Sequence, residues 1–368
     1  MKIVQVAPFY YPVLGGVEKV VSRISEYMVS KGNEVTVVTY NRDRSSKGMF
    51  KEREIINGVE VVRLSPKITM SHGSYSPDVV RVVKSIDPDI VHVHVWRHPH
   101  SLQLSSLDLV KVLHPHSPFY SRKQVGSLIY VYYNLVDSIF RKRIRDYNII
   151  SISPIEKEII KKKFNVNSTV IPNGVEDSYF DVKSQGDNFY LFLGRLSAEK
   201  NVMRMLRGYK LSEVKRPLVI AGPDEGIGKE VKEYIERYQL NAKYVGPVSE
   251  EEKINLLSHC RALINPRPYE AFGINLVEAE AVGKPCIIVG HGGQEYVAPP
   301  GVSSVRSNDT DEGLANSFRE MEKDDVFFKL SRGAKNYAER FRMSRILSEI
   351  EKYYNSLLKG VESSLSSS

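Results

Sequence analysis

A chain of 368 residues exceeds the size at which a single hydrophobic core keeps growing, so two domains are expected. Hydrophobic residues make up 42% of it, and no run approaches the roughly 18 uncharged apolar residues of a spanning helix, which excludes a helical integral membrane protein. The formal net charge of +8 lies entirely in the first half, where residues 1–168 carry 25 Lys and Arg against 15 Asp and Glu. Such basicity suits nucleic acid, an anionic membrane surface or a phosphorylated acceptor. No RRM, zinc-finger or KH signature is present, which sets nucleic acid aside; a basic surface without a partner is the plain reading. Cys260 and Cys286 form no C-x-x-C and read as apolar side chains of a reducing compartment.

Residues 2–7 (KIVQVA) read as a first strand; the start is too short and lacks the small-residue cleavage site of a signal peptide. After the loop PFYYPVLGG, Val17, Val20, Val21, Ile24 and Met28 recur at helical spacing, and residues 34–40 (EVTVVTY) form a second strand. The charged segment 41–54 is expected to be a mobile loop. Strands follow at 59–64, after the Asn57-Gly58 turn, and at 89–95 and 110–113. Residues 127–146 are helical, and 148–152 return to strand. Near residues 165–172 the pattern restarts, with short apolar strands expected at 169–171, 189–193, 217–221, 242–245, 262–264 and 286–289 separated by helices. This is an α/β chain of two Rossmann-like parallel sheets with a boundary at residue 168, and ligands of such sheets bind at the carboxyl ends of strands. A final helix covers 343–358, and the closing SSLSSS reads as an unstructured end.

The chemistry concentrates in residues 266–281, PRPYEAFGINLVEAEA, where Glu270 and Glu278 flank the pair Phe272-Gly273. A glycine at a helix mouth permits close approach of a ligand, and the first amides there have no internal partner. Phosphate on those amides and sugar hydroxyls on the two carboxylates would satisfy a nucleotide sugar. The same residues also fit a buried helix with a capping Glu270 and a solvated Glu278. Upstream, FLGRLSAEK delivers Gly194-Arg195 to the end of a strand, with Lys200 on the next loop or helix start. Arginine's planar fork and lysine's point charge suit a diphosphate, although a surface ion pair is the alternative.

The glutamate spacing resembles the E-x7-E motif of glycosyltransferase family 4, and Gly194 to Asn201 resembles that family's G-R-x-x-x-x-K-N motif. IPNGV at 171–175, Ala221-Gly222 and YVGP at 244–247 also lie in family-like places. The resemblance implies the GT-B architecture: an acceptor-binding domain at 1–168, a nucleotide-sugar-binding domain at 169–342, and a helix at 343–360 packing back on the first domain. It implies that Arg195 and Lys200 hold the donor pyrophosphate and that Glu278 binds the ribose. Glu270 would face the donor sugar, and the amides of Phe272, Gly273 and Ile274 would contact sugar and phosphate. Arg267 departs from the family pattern, either as a further donor-site cation or as an outward side chain. GGVEKVV, beginning at Gly15 and Gly16, resembles the family loop that approaches the donor phosphates and acceptor, though a glycine pair alone suits any tight turn.

Six of the nine histidines fall between His92 and His116. His92 and His94 share a strand face, but no carboxylate or cysteine completes a recognisable ligand set, and no metal is expected. Asp87-Pro88-Asp89 is formally a D-x-D and reads as a turn. VLHPHSPFY resembles the family segment whose histidine lines the acceptor side, which points to His116 or, in the alternate register, His114. Such an imidazole would orient the acceptor hydroxyl or the donor sugar; a structural histidine is the alternative.

The resemblance therefore implies a retaining, metal-independent hexosyltransferase without cofactors. It would use a nucleoside-diphosphate sugar, a UDP-sugar favoured and GDP-mannose possible, and a glycan or lipid-linked acceptor, in glycoconjugate or surface-glycan assembly. A nucleotide-sugar epimerase of the same fold would turn over without acceptor, and a non-catalytic nucleotide-sugar-binding protein would transfer nothing. Residues 128–147 (LIYVYYNLVDSIFRKRIRDY) join aromatics to Arg141, Lys142, Arg143 and Arg145. That combination suits peripheral docking on an anionic cytoplasmic membrane face, with core packing as the alternative; a cytoplasmic location is expected either way.

Overall fold

The computed structural model describes residues 1–13, 15–44, 50–70, 73–117, 119 and 122–366. It divides into two compact units, Met1–Pro172 with Ile346–Ser368, and Asn173–Arg345.

The first unit carries strands β1 (Lys2–Val6), β2 (Glu34–Tyr40), β3 (Arg53–Ile56), β4 (Val59–Leu64), β5 (Ile68–Met70), β6 (Gly73–Tyr75), β7 (Ile90–His94), β8 (Val110–His114), β9 (Asn148–Ser151) and β10 (Thr169–Val170). Eight of them form one sheet in the order β10-β9-β8-β7-β1-β2-β4-β3, parallel except for the β3–β4 pair; β5 and β6 form a separate antiparallel ribbon. The central strands β1, β7 and β8 are short β-branched runs buried along nearly their whole length, as strands covered on both faces must be. The helix Gly16–Ser30 packs Val21, Ile24 and Met28 inward, and Val4, Val6, Val91, Val93, Trp96 and Leu113 stand in the core. The last helix, Met343–Ser366, contributes to this unit: the Tyr354 hydroxyl lies 3.2 Å from Gln5 Nε2 and 2.5 Å from His92 Nδ1, and Tyr27 donates to Glu351 at 2.8 Å.

Four expectations change here. Thr169–Val170 pairs in parallel with β9, not in the second sheet, so the boundary falls after Pro172 instead of residue 168. Arg53 and Glu54, expected in a mobile loop, enter β3, where Glu54 pairs across to Val61; residues 45–49 of that loop lie outside the described residues. The helix expected over 127–146 is Arg122–Ile139, interrupted at Gly126 (φ 77°), and a separate 3-10 turn covers Arg143–Asp146. Of the closing SSLSSS, residues 363–366 continue the last helix, and 367–368 are outside the described residues.

The second unit carries β11 (Phe189–Leu193), β12 (Leu218–Ala221), β13 (Ala242–Gly246), β14 (Cys260–Asn265), β15 (Cys286–Val289) and β16 (Ser304–Ser307), all parallel, in the order β13-β12-β11-β14-β15-β16. Written in chain order this is the 3-2-1-4-5-6 arrangement of a doubly wound sheet, whose strand order reverses between β11 and β14. The loops leaving those two strands therefore open a crevice by topology alone. They are the loops that carry Arg195 and Glu270. In the first unit the reversal lies between β1 and β7. Tyr190, Phe192, Met205, Leu206, Ile264, Ile287 and Phe318 anchor the second core. Among the described residues no helix is long and apolar enough to cross a membrane.

Candidate active site

At the switch point of the second unit, oppositely charged side chains form one alternating chain. Lys200 Nζ lies 3.0 Å from Glu270 Oε2, and Arg267 reaches the other oxygen of Glu270 at 3.2 Å. Arg267 also meets Glu199 at 3.3 Å; Glu199 in turn meets Arg195 at 3.3 Å. Arg195 is otherwise clasped by both carboxylate oxygens of Glu225, at 2.9 and 2.8 Å. Burial grades along the chain: the side chains of Glu270 and Arg267 are 15% and 18% exposed, whereas Arg195 is 53% exposed. Arg267 thus points into the cluster instead of outward.

The backbone around Glu270 is fixed from the loop after β15. Gly293 N–H donates to the Glu270 carbonyl at 2.7 Å, and the Glu270 N–H donates to Gln294 Oε1 at 2.8 Å. A Cβ on Gly293 would come within 2.0 Å of the Ala271 carbonyl oxygen, so only glycine allows this approach. Gly273 (φ 95°) turns the chain into the helix Ile274–Ala281. The helix's backbone bonds begin with Leu276 N–H on the Gly273 carbonyl, leaving the amides of Ile274 and Asn275 ahead of them without intrahelical partners. Phe272 anchors the turn by packing edge-on against Phe341. Five residues into the helix sequence, Glu278 is buried and paired at 2.9 Å with Lys253, which also meets Glu250. That pairing holds the Lys253 pKa above its usual value although burial opposes it. Tyr179 donates to Glu250 from the other side.

In the first unit, Gly15 and Gly16 lie at the N-terminus of the helix Gly16–Ser30, which has no side-chain cap. Glu18 in the first turn pairs with Arg44 at 3.0 Å. A cavity of about 740 Å³ at the β1–β7 reversal is lined by Phe9, Gly16, Glu18, Arg97, Tyr132 and Tyr133 among others. Arg97 is buried against Asp137 at 2.7 Å and stacks on Phe119 and Tyr133. Lys163 and Trp96 complete the shell of Asp137 and, with Arg97, hold its carboxyl below the usual range against the opposing burial.

The carboxyl ends of β7 and β8 are strained. Val95, Arg97, His116 and Ser117 all have positive φ, at 69°, 70°, 59° and 55°. Non-glycine residues hold such angles only where surroundings over-determine them, and these clusters gather at functional sites. The Ser117 amide is held by Glu156 Oε1 at 2.5 Å, and the other Glu156 oxygen accepts from Ile152 at 2.7 Å. Burial pushes the Glu156 carboxyl up to about 7 in spite of these bonds. His116 is half-buried and hydrogen-bonded to His94 at 2.9 Å, whereas His114 is 2% exposed. Desolvation drops the His116 pKa to about 3, so its ring is neutral.

Three of the six histidines converge without a carboxylate or cysteine among them. His92, His94 and His114 each bring a ring nitrogen within 4.8 Å of the others, because the register pairs His94 with His114 on one face. Asp87 and Asp89 do form a turn: Asp87 closes a helix in the left-handed conformation, and Asp89 accepts from the Lys2 amide at 2.7 Å. Both cysteines are free and buried, and burial raises both thiols, Cys260 to about 12. Sequence reasoning missed Lys253, Tyr179, Gln294 and the first-unit cavity. Of these only the Gly292-Gly293 pair before Gln294 left a local signal.

Comparison with known proteins matches both units. The description "Glycosyltransferase Family 4" fits residues 14–179, and "Glycosyl transferases group 1" fits residues 176–341. The chain is 25% identical over 304 residues to the O-antigen chain mannosyltransferase C of Escherichia coli, covering 78% of this chain and 79% of that one. It is 24% identical to the phosphatidyl-myo-inositol mannosyltransferase of Mycolicibacterium smegmatis, covering 77% and 74%. Among solved structures, the HepE protein of Anabaena in complex with UDP superimposes with a TM-score of 0.77 at 17% identity, covering 97% of this chain and all of that one. Sucrose-phosphate synthase of Thermosynechococcus elongatus gives the same TM-score and identity over 98% and 99%. The fold is GT-B, the Glu270–Glu278 and Arg195–Lys200 motifs stand at the switch point of its second sheet, and the chain belongs to glycosyltransferase family 4 and is a hexosyltransferase.

Proposed function

We propose that the second unit binds a nucleoside-diphosphate hexose at the β11–β14 switch point and that the protein transfers the sugar, with retention, to a glycan or lipid-linked acceptor held by the first unit. The observation that carries this reading is the alternating chain from Arg195 to Lys200 in the unit whose helix Ile274–Ala281 begins with the amides of Ile274 and Asn275, ahead of its first intrahelical bond. A diphosphate would replace the carboxylates as partner of Arg195, Arg267 and Lys200, releasing Glu270 toward the sugar. Glu278, braced by Lys253, would accept from the ribose hydroxyls. In the transfer, the acceptor oxygen attacks the anomeric carbon on the face the diphosphate leaves. The carbon–phosphate-oxygen bond breaks and the acceptor proton passes to the departing phosphate oxygen. The cations and helix amides stabilise the charge that develops there, so the donor site requires no metal.

UDP-sugars remain the favoured donors, supported by the UDP in the HepE complex; the mannosyltransferase relatives support GDP-mannose as the alternative. The same relatives support a role in glycoconjugate assembly. A calorimetric screen of nucleotide sugars in EDTA, followed by mass spectrometry of products with candidate acceptors, tests the assignment. Binding of none of them, or binding only with added divalent metal, overturns it.

Peripheral membrane contact belongs to the same proposal. Leu128, Val131, Tyr132, Leu135 and Ile139 on the helix Arg122–Ile139 are 88%, 64%, 53%, 57% and 62% exposed, and Arg141, Lys142, Arg143 and Arg145 follow, also exposed. The core-packing alternative leaves that apolar face unexplained. Apolar and basic groups in succession fit an anionic bilayer surface, each cation adding on the order of 1 kcal/mol. Cosedimentation with phosphatidylserine-containing vesicles should fall with salt and with Arg141→Glu and Lys142→Glu; protein staying in the supernatant at low salt removes the membrane from the proposal.

A further inference from the structure

The buried histidines of the first unit have unfinished chemistry. His92, His94 and His114 are each 2% exposed or less, on one face of β7 and β8. Among the described residues, both ring nitrogens of His114 and Nε2 of His92 have no hydrogen-bond partner. Burying an imidazole with an idle nitrogen forfeits the bond water would supply, and two of the three converging rings, His92 and His114, carry that loss.

Two of the rings are oriented from behind. His92 Nδ1 lies 2.5 Å from the Tyr354 hydroxyl, and His94 Nε2 lies 2.7 Å from Gln5 Oε1. An amide oxygen can only accept, so His94 carries its proton on Nε2 and leaves a lone pair on Nδ1. Fixing the far nitrogen of an imidazole so that the near one presents a lone pair is how proteins prepare histidine for a metal. Here the orienting groups come from β1 and the last helix. His116, stacked on His114 at 4.0 Å between ring centroids, stands nearest as a fourth donor.

We propose that His92, His94 and His114 form a binding site for a borderline divalent cation of the zinc class, with Gln5 and Tyr354 as its orienting shell. Imidazole-only ligation favours zinc, cobalt or nickel over magnesium, calcium or manganese, which prefer oxygen donors. The cation ties β7 to β8 and, through Tyr354, to the last helix. None of the second-unit residues assigned to the donor is among its ligands. Because His94 Nδ1 is also the partner of His116, occupancy frees His116 from that bond.

The test uses the full chain without a polyhistidine tag, stripped with chelator and titrated with cobalt(II). One equivalent should bind with visible d–d absorption, zinc should displace it, and the unfolding temperature should rise with metal. His92→Asn and His114→Asn should abolish the bands. Tyr354→Phe keeps the ring and removes only the orienting hydroxyl; it should weaken cobalt binding about 10–100-fold while the chelated protein keeps its native circular dichroism. Absence of bands with excess cobalt in the parent overturns the site and leaves a stack of neutral imidazoles. So does unchanged affinity in Tyr354→Phe together with either histidine variant.

Discussion

The charged cluster of the second unit and the histidine cluster of the first are built from opposite electrostatics. In the second unit, Arg195, Glu199, Arg267, Glu270 and Lys200 keep full charges beside one another, with exposure falling from Arg195 to Glu270. In the first unit, the rings at the ends of β7 and β8 are neutral, because burial drives the pKa values of His92, His94, His114 and His116 down. Under the proposed function, a leaving diphosphate would be met by fixed cations, whose partner carboxylates can be exchanged for phosphate. An attacking hydroxyl would be met by a group that accepts or orients a proton without repelling a developing cation on the sugar. Mutations on the two sides should therefore separate: the second-unit cations act on binding, and the first-unit imidazole acts on transfer.

The largest expected effect is at His116. Asparagine tolerates the left-handed backbone found there (φ 59°), so His116→Asn removes the imidazole with little strain. Transfer should fall by about 100-fold or more, in the range of lost proton-handling groups, while the calorimetric donor Kd stays within error. Weakened donor binding would place His116 on the donor side and blur the comparison. Unchanged transfer, or a larger loss in His114→Asn, would select the other register.

Lys200→Ala comes next. Its ammonium is only 20% exposed and its partner is Glu270, so a diphosphate there gains a charge-assisted contact worth about 1.5–3 kcal/mol. Affinity for the free nucleoside diphosphate should drop by the same order as affinity for the nucleotide sugar. Loss confined to the sugar conjugate would move Lys200 from phosphate to hexose.

How much of this was legible in the sequence follows the range of each interaction. Gly194, Arg195, Lys200, Glu270 and Glu278 could be read because strand, loop and helix start are local, and the order of the loops fixes the switch point. The Lys253–Glu278 and Arg267–Glu199 pairs join separate elements and leave no local pattern. His92 and His94 share a face by the two-residue repeat of a strand, but the arrival of His114 depends on the β7–β8 register, which neither strand encodes alone. Thr169–Val170 is too short to choose its neighbour from its own residues, and it went to β9. Gly126 marks the break in a helix whose apolar pattern runs across it.

A smaller effect concerns stability in the second unit. Glu280, two residues beyond Glu278, is fully buried; burial raises its carboxyl well above the ordinary range, with Ser303 and the Arg340 charge opposing. Its folded pKa exceeds its unfolded one, so the folded state holds an extra proton. Stability from this group is complete below about pH 4.3 and is lost as pH rises toward the folded value, by up to about 1.4 kcal/mol per pH unit. Glu280→Gln should flatten this slope between pH 5 and 8 in urea unfolding, whatever its constant cost from the new amide. Glu156, pushed up to about 7, contributes equally to both proteins and cancels. Identical slopes in parent and variant would mean that Glu280 is ionised in the fold.

The smallest effect, and the one that best sharpens the contrast within the charged site, is Arg195→Ala. The family resemblance treats Arg195 and Lys200 as equal holders of the pyrophosphate, but the structure grades them. Arg195 is 53% exposed, and its bidentate partner Glu225 is 40% exposed. Exposed pairs are worth roughly 0.2–1 kcal/mol because water and salt screen them and both side chains lose freedom. Unless the donor buries it, Arg195 should give a few-fold loss of diphosphate affinity that shrinks further as salt is raised, whereas the Lys200→Ala deficit should persist. Calorimetry of the two variants at low and high ionic strength reads the difference directly. A loss at Arg195 equal to that at Lys200 and insensitive to salt would show that the bound diphosphate draws Arg195 out of its pairing with Glu225 into a dry contact.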